Sequence, residues 1–296
     1  MGEPTIPEDE YIHPGNTGCP GCGANLVMRY LLKGLGDRTI LSIPACCWAV
    51  MPGYWPSNCL KVPLLYTAFE ATGAAISGLR AALDIKGIGD VAVVGFAGDG
   101  GTVDIGLQAM SGAAERRTDA IYVMYDNEAY MNTGIQRSGS TPWGAWTTTT
   151  PVGSNHGFKH EAKKDIMAIM QAHGIPYAAT VSVAHPEDFV KKVEKAKGIK
   201  GFRFIHALSP CPPGWRMNSK LTVEVARLAV DTHMFPLYEI EDGRVRVTRT
   251  GKGLPVHEYL KAQGRFSHLT EAEMSAIQKG VDASWKNLLA KESSGT

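Results

Sequence analysis

A chain of 296 residues is long enough to bury one large α/β core, with or without a small appendage. Its 44% hydrophobic and 20% charged content is ordinary for a globular protein, and a net charge of +1 excludes the electrostatic pull of a nucleic-acid or anionic-membrane binder. No apolar run approaches the roughly 20 residues of a membrane span, so neither nucleic acid nor membrane is expected as a partner.

The start, Met1 to Glu10, is acidic and proline-bearing, the reverse of a signal peptide, and the chain reads as cytoplasmic. Residues 1–17 read as an irregular arm lying on a partner or on the body. The knuckle Gly18-Cys19-Pro20-Gly21-Cys22-Gly23 follows, with two cysteines spaced C-x-x-C. In a cytosolic chain that spacing marks a metal site or a redox dithiol. An amphipathic helix is predicted over Asn25–Leu35, then a strand over Thr39–Ile43 ending in Pro44-Ala45-Cys46-Cys47-Trp48. Met51–Leu65, with Cys59, reads as loop. Thr67–Leu83 reads as one helix rich in Ala, Gly and Ser, suited to close backbone packing in the core or at a subunit contact.

Val91–Asn132 is the organising stretch. Two apolar runs, Val91–Ala97 and Ala120–Tyr125, have the length and β-branched content of buried parallel strands. The segment Thr102–Thr118 between them has helical content, so the whole reads as a βαβ unit with Gly98-Asp99-Gly100-Gly101 at the first strand's carboxyl end. Such a turn suits a diphosphate, because glycines admit backbone N–H groups to an anion and the following helix offers its positive end. A carboxylate in the same turn makes sense if Mg²⁺ sits between it and the phosphates. The Asn127 side chain and the Ala129 carbonyl, at the end of the second strand, are candidate further ligands. Alone, the Gly-Asp-Gly turn reads more simply as a tight turn with an N-capping aspartate. Paired with Asn127, after 26 intervening residues beyond Gly100, it resembles the thiamine diphosphate and magnesium motif of thiamine enzymes.

Beyond Asn132, residues 133–150 form a polar-aromatic loop too long to lack a role in a compact domain. Its Trp143 and Trp146 are candidates to narrow a pocket or to pack at an interface. A helix is predicted over His160–Ala172, a strand over Tyr177–Val183, a helix from His185 to about Ala196, and a strand over Gly201–Ala207 ending in Ser209-Pro210-Cys211-Pro212-Pro213-Gly214-Trp215. Leu221–Thr232 reads as helix. A β ribbon, Leu237–Glu241 and Arg244–Thr248 about the turn Asp242-Gly243, leads to a basic helical tail. The expected division is an arm (1–17), a main domain (18–234) and a C-terminal extension (235–296).

The six cysteines are 19, 22, 46, 47, 59 and 211. Four thiolates converging from three turns could hold zinc or a [4Fe–4S] cluster. The single C-x-x-C pair and the Pro, Gly and backbone N–H surroundings favour the cluster. Cys59 and one of Cys46 and Cys47 read as ordinary buried thiols.

Together, the Gly-Asp-Gly and Asn pair, CPGCG, the second cysteine turn, YDNEAYMNTGIQRSG and SPCPPGW resemble the β subunit of 2-oxoacid:ferredoxin oxidoreductases, especially the pyruvate synthase group, from about His13 to the tail. The resemblance implies a thiamine diphosphate-binding α/β fold, a mostly parallel sheet with helices on both faces. It implies cluster ligation by Cys19, Cys22, Cys47 and Cys211, with Cys46 the residue to exchange for Cys47 if one is wrong. Asp99, Asn127 and the Ala129 carbonyl would hold Mg²⁺. Gly98, Gly100 and Gly101 would cradle the diphosphate, and Tyr130, Asn132 and Cys47 would stand at the cofactor. Asn132 would lie near its reacting part, and the Cys47 turn would be the electron path. Some members carry Glu two residues after the second cysteine, where this chain has Ala24.

The activity implied is oxidative decarboxylation of a 2-oxoacid, with CoA taking the acyl group and electrons passing singly through the cluster to ferredoxin. Pyruvate is the default substrate; oxalate, 2-oxoisovalerate and 2-oxoglutarate are alternatives. The activating glutamate comes from the α subunit in this family, so the chain is expected to work only with α and further γ or δ subunits. A non-redox thiamine decarboxylase or synthase with a zinc knuckle, and a scaffold subunit, are the competing readings.

Overall fold

The computed structural model describes residues 6–54, 56–153 and 157–295; the first five residues of the acidic start, and Trp55 of the expected loop, lie outside them. After the N-terminal arm come α1 (Gly23–Leu35), β1 (Thr39–Pro44), β2 (Leu64–Thr67), α2 (Thr72–Ile85) and β3 (Ala92–Gly98). Then follow α3 (Leu107–Glu115), β4 (Ala120–Asp126), α4 (Ile166–Ala172), β5 (Tyr177–Ser182), α5 (Pro186–Gly198) and β6 (Phe202–Leu208). A one-turn α6 (Pro212–Trp215), α7 (Thr222–Asp231), β7 (Leu237–Glu241), β8 (Arg244–Arg249), α8 (Val256–Lys261) and α9 (Glu271–Ser294) complete the chain.

The strands form one sheet in the order β2-β1-β3-β4-β6-β5-β7-β8. All neighbours from β2 to β5 are parallel, and β7 and β8 close the far side antiparallel. The two central runs are buried on both faces, as a doubly covered parallel sheet requires. Val94, Phe96, Ile121, Val123 and Tyr125 pack with α1 and α5 on one face. Val93, Ala97, Tyr122 and Met124 pack with α2, α3 and α4 on the other. A third core joins α7, α8 and α9 to Trp215 and Ala145.

Several expectations are corrected. The run Met51–Leu65 does not stay loop to its end, because Leu64–Thr67 pairs with β1 as an edge strand, Leu41 opposite Leu64. Four residues carry too little period to be seen without that partner. The helix expected from Thr67 therefore starts only at Thr72. The helix expected over Thr102–Thr118 is split: a π turn over Gly100–Asp104 precedes α3, because the chain doubles so tightly that a Cβ on Gly106 would lie 1.9 Å from the Gly101 carbonyl oxygen. The helix expected from His160 begins at Ile166, capped by Asp165, whose side chain accepts from the Ala168 N–H at 3.0 Å. The positive charge of the tail does not lie in its last helix: α9 carries Glu271, Glu273, Asp282 and Glu292 against Lys279, Lys286 and Lys291. The arm lies on the body: Lys33 of α1 donates to the Pro7, Glu8 and Asp9 carbonyls, and Arg29 pairs with Glu10.

The strand order positions the site. β1, β3, β4 and β6 are consecutive neighbours running the same way, so their carboxyl ends form one rim. That rim carries Cys46 and Cys47, Asp99, Asn127, and Ser209 to Cys211 respectively. The start of α1 joins them, since the Gly23 N–H donates to the Pro210 carbonyl at 3.0 Å. A Cβ on Gly23 would lie within 2.7 Å of that same oxygen, which explains glycine after Cys22.

Candidate active site

Two cavities open side by side along the rim. The first is lined by Ala45, Cys46, Cys47, Phe69, the Gly98–Gly101 turn, Tyr125, Asn127 and Ala129 to Thr133. The second takes in all four cysteines of the expected cluster set, Cys19, Cys22, Cys47 and Cys211, with Ser209 and Pro210. Cys47, Asn127 and Asn132 line both. Cys46 lines only the first, against Tyr125 and Gly98, so the structure brings Cys47 and not its neighbour to the other cysteines. Cys59 is buried away from both cavities in the core beneath the arm.

In the first cavity the Asn127 amide has one terminal atom 2.9 Å from both Asp99 Oδ1 and the Ala129 carbonyl oxygen. In one amide orientation this atom is nitrogen and donates to both. In the other, it is oxygen and faces both of those oxygens with no proton between them. Octahedral Mg²⁺ with oxygens at about 2.0–2.1 Å sets adjacent ligands about 2.9 Å apart. The observed spacing therefore fits a divalent cation held by these three oxygens. Burial, and then the Asp126 carboxylate, push the Asp99 carboxyl well above the usual range. A bound dication would reverse that. Ser138 Oγ also donates to Asp99 Oδ2.

The glycines have separate reasons. A Cβ on Gly100 would lie 2.3 Å from the Tyr130 ring, whose hydroxyl donates to Asp104 at 3.0 Å. A Cβ on Gly101 would meet the Phe69 ring at 3.1 Å. Tyr130 and Phe69 stand edge to face across the turn, so the aromatic pair and the bare backbone shape one cleft.

In the second cavity burial pushes the thiols up, Cys47 to about 12 and Cys211 to about 11, with the neighbouring cysteines adding to the effect. Such a crowd of neutral thiols suits a group that brings compensating positive charge. Among the described residues no three His, Cys, Asp or Glu side chains are drawn into a metal-holding group. The four sulfurs share a cavity without meeting at one point, and all six cysteines are free. One polar atom here is orphaned: Ser209 Oγ is buried without a hydrogen-bond partner among the described residues. A hydroxyl left so is what a sulfur-rich acceptor would satisfy.

Behind the Asn127–Ala129 turn lies a buried charge network that the sequence reading missed. Asp126 Oδ2 accepts from Lys163 at 2.6 Å, His206 at 2.7 Å and Ser140 at 2.7 Å. Burial alone would raise the Asp126 carboxyl, but Lys163 and His206 outweigh it and hold it below the usual range. Glu128 takes Lys163 on one oxygen at 2.8 Å and Arg265 on the other at 2.6 Å. Thr141 donates to the Glu128 carbonyl at 2.7 Å. The signal for this clamp was the run of hydroxyls Ser138, Ser140 and Thr141 in the long loop. The tryptophans of that loop do not narrow either cavity. Trp143 packs on Phe158, and Arg216 lies 3.3 Å over the Trp146 ring, both away from the cavities.

Residues 47–207 match the family described as thiamine pyrophosphate enzyme, C-terminal TPP binding domain. The ketoisovalerate oxidoreductase subunit VorB of Pyrococcus furiosus is 51% identical over 292 residues, covering 96% of this chain and 94% of its own. The pyruvate synthase subunit PorB of Methanothermobacter marburgensis is 51% identical over 279 residues, 94% of this chain and 97% of its own. The chain belongs to the β subunits of the 2-oxoacid:ferredoxin oxidoreductases. It is therefore a subunit of an oxidoreductase, and its thiamine-enzyme fold is the one expected from the motifs. A solved 2-oxoglutarate:ferredoxin oxidoreductase from Magnetococcus marinus shares that fold, with a TM-score of 0.59 over 76% of this chain and 81% of that one, at 23% identity. The β subunit's matched region begins at Cys47 and ends just past His206, so it spans the Gly98–Gly101 and Asn127–Ala129 turns together with Asp126, Glu128, Lys163 and His206. Among the described residues no helix is long and apolar enough to cross a membrane.

Proposed function

We propose that this β subunit binds thiamine diphosphate with Mg²⁺ and a [4Fe–4S] cluster, and carries out oxidative decarboxylation of a 2-oxoacid, pyruvate in the first instance. The observation that carries this reading is the shared wall: Cys47, Asn127 and Asn132 line both the metal-turn cavity and the cysteine cavity. Asp99, Asn127 and the Ala129 carbonyl would hold the cation, and Gly98, Gly100 and Gly101 would take the diphosphate. Cys19, Cys22, Cys47 and Cys211 would hold the cluster. Thiamine diphosphate, when bound, supplies the carbon nucleophile and the electron sink for the carbon that loses CO₂.

The chain's own groups do the positioning. Tyr130 and Phe69 wall the turn and exclude water from its apolar side. Exposed Asn132 presents an amide at the mouth, where it can hydrogen-bond a carboxylate or carbonyl. Cys47 joins the two cavities and keeps the electron path short. A ligand of this size needs a pocket of about 300–1,000 Å³, and the first cavity holds about 120 Å³. The remaining walls, and the group that activates the cofactor, belong to an α subunit. CoA accepts the acyl group and ferredoxin the electrons.

Two relatives at equal identity carry different substrate names, pyruvate and ketoisovalerate. The test is viologen reduction by the co-purified complex with pyruvate, 2-oxoisovalerate, 2-oxoglutarate and oxalate, with CoA present or omitted. The expected result is brown protein absorbing near about 400 nm and CoA-dependent turnover fastest with pyruvate. The β subunit alone, given thiamine diphosphate and Mg²⁺, is expected to be inactive. A colourless, zinc-containing complex that decarboxylates without reducing viologen would overturn the reading.

A further inference from the structure

The cation-binding turn is held from behind by a residue far away in the sequence. Glu128 sits between the two metal-turn residues Asn127 and Ala129, with its backbone left-handed at φ 66°. A non-glycine residue in that region costs energy unless its surroundings compel it. Here the compulsion is visible. Its N–H donates to Asp126 at 3.0 Å, its carbonyl accepts from Thr141, and its carboxylate is fixed at both oxygens by Lys163 and Arg265. Arg265 comes from the turn between α8 and α9 and is only 2% exposed. Its guanidinium lies 4.0 Å over the Trp215 ring, and Trp215 Nε1 donates to the Asn127 carbonyl at 2.8 Å. Trp215 in turn donates its backbone N–H to the Cys211 carbonyl at 2.8 Å.

We propose that Arg265 is a positioning residue for the divalent cation: through Glu128 and Trp215 it sets the backbone that aims the Asn127 and Ala129 oxygens at Asp99. This rests on reading those oxygens as a cation site. Arg265 makes no contact with them. It grips the turn on two sides, by the ion pair to Glu128 and by the ring that anchors Asn127. The same ring ties the metal turn to the loop of Cys211, so the C-terminal segment braces both cavities at once.

Charge and position predict opposite signs. Removing a positive charge from beside the turn leaves Glu128 with Lys163 as its one remaining ion-pair partner, so by Coulomb's law a cation at Asp99 is held more tightly. If Arg265 acts by position, the same change loosens the oxygens and weakens the cation. Outer partners of metal ligands typically account for about 10–100-fold in affinity.

The experiment measures Mn²⁺ binding by electron paramagnetic resonance in the purified complex with partner subunits, at saturating thiamine diphosphate. It compares wild type, Arg265→Met and the charge-conserving Arg265→Lys, with thermal unfolding recorded alongside. The expected result is Mn²⁺ affinity about 10–100-fold weaker in Arg265→Met, and an intermediate loss in Arg265→Lys, which keeps the charge but not the stacked fork. Should Arg265→Met fail to assemble, Arg265→Lys alone decides. Unchanged or tighter Mn²⁺ binding with only a lower melting temperature would overturn the proposal. If the wild-type complex takes up no Mn²⁺ in the presence of thiamine diphosphate, the cation site itself falls, and the inference with it.

Discussion

The substitution Asp126→Asn tests the buried network most directly. Asp126 is fully buried, and its Oδ2 serves Lys163, His206 and Ser140 while Oδ1 takes the Glu128 N–H. An amide has one acceptor oxygen. If it faces the three donors, its NH₂ meets the Glu128 N–H; if it is turned, the NH₂ meets Lys163, His206 and Ser140. Breaking a buried ion pair by removing one partner costs about 3–5 kcal/mol, and stranding a buried N–H adds about 1–3 kcal/mol. Lys163 keeps Glu128 at 2.8 Å and a quarter of its side chain in solvent, which puts the sum near the low end. A loss of about 4 kcal/mol, at roughly 2–4 °C per kcal/mol, lowers the melting temperature by about 10 °C. Near-UV circular dichroism on heating at pH 7 reads this out. A shift under about 3 °C would refute the view that Asp126 is the anchor of the turn.

Other consequences are open to single measurements. Cys47→Ser should strip iron from the purified complex while Cys46→Ser retains it, because only Cys47 lines the cysteine cavity; equal iron in both would reverse the assignment. Gly100→Ala puts a methyl 2.3 Å from the Tyr130 ring, and overpacking of this kind costs about 1–3 kcal/mol. Thiamine diphosphate affinity by calorimetry should fall about tenfold or more, and an unchanged value would show that the ring yields freely. His185, at the start of α5, is held down at about 4 by burial and then by Arg249, with Arg227 adding and Asp188 and Asp231 opposing. Its native pKa lies below the unfolded value, so its neutral form contributes stability above about pH 6.5 that is lost as pH falls towards 4. Urea unfolding of His185→Gln should show a flatter pH dependence across that interval, and an identical slope would remove His185 as the cause.

Much of the site was legible because parallel strands buried on both faces advertise themselves as apolar runs, and chemistry-bearing residues sit at their ends. The runs before Asp99, before Asn127 and before Cys211 were each recognisable alone. β2 was not, since four residues supported by one neighbouring strand leave no periodic trace. The length of the loop after Asn132 marks it for function, but its tryptophans are more conspicuous in the sequence than its hydroxyls. Ser138, Ser140 and Thr141 reach Asp99, Asp126 and the Glu128 carbonyl, while Trp143 and Trp146 pack elsewhere. Arg265 stands 137 residues from Glu128, and a lone arginine in a polar tail gives no sign that it will be buried against a carboxylate.

By itself the amino-acid order determined which local pieces exist: the glycine turns that admit an anion, the cysteine knuckles, and the strands that carry them, because backbone preference and apolar period act over a few residues. Only the tertiary structure decided that β1, β3, β4 and β6 lie side by side, so that four separate strand ends become one rim. It alone put Cys47 rather than Cys46 into the cavity of Cys19, Cys22 and Cys211, and it alone set Glu128 between Lys163 and Arg265. Those choices depend on strand order and on the low dielectric of the interior, where a buried charge must find its opposite wherever the chain supplies one.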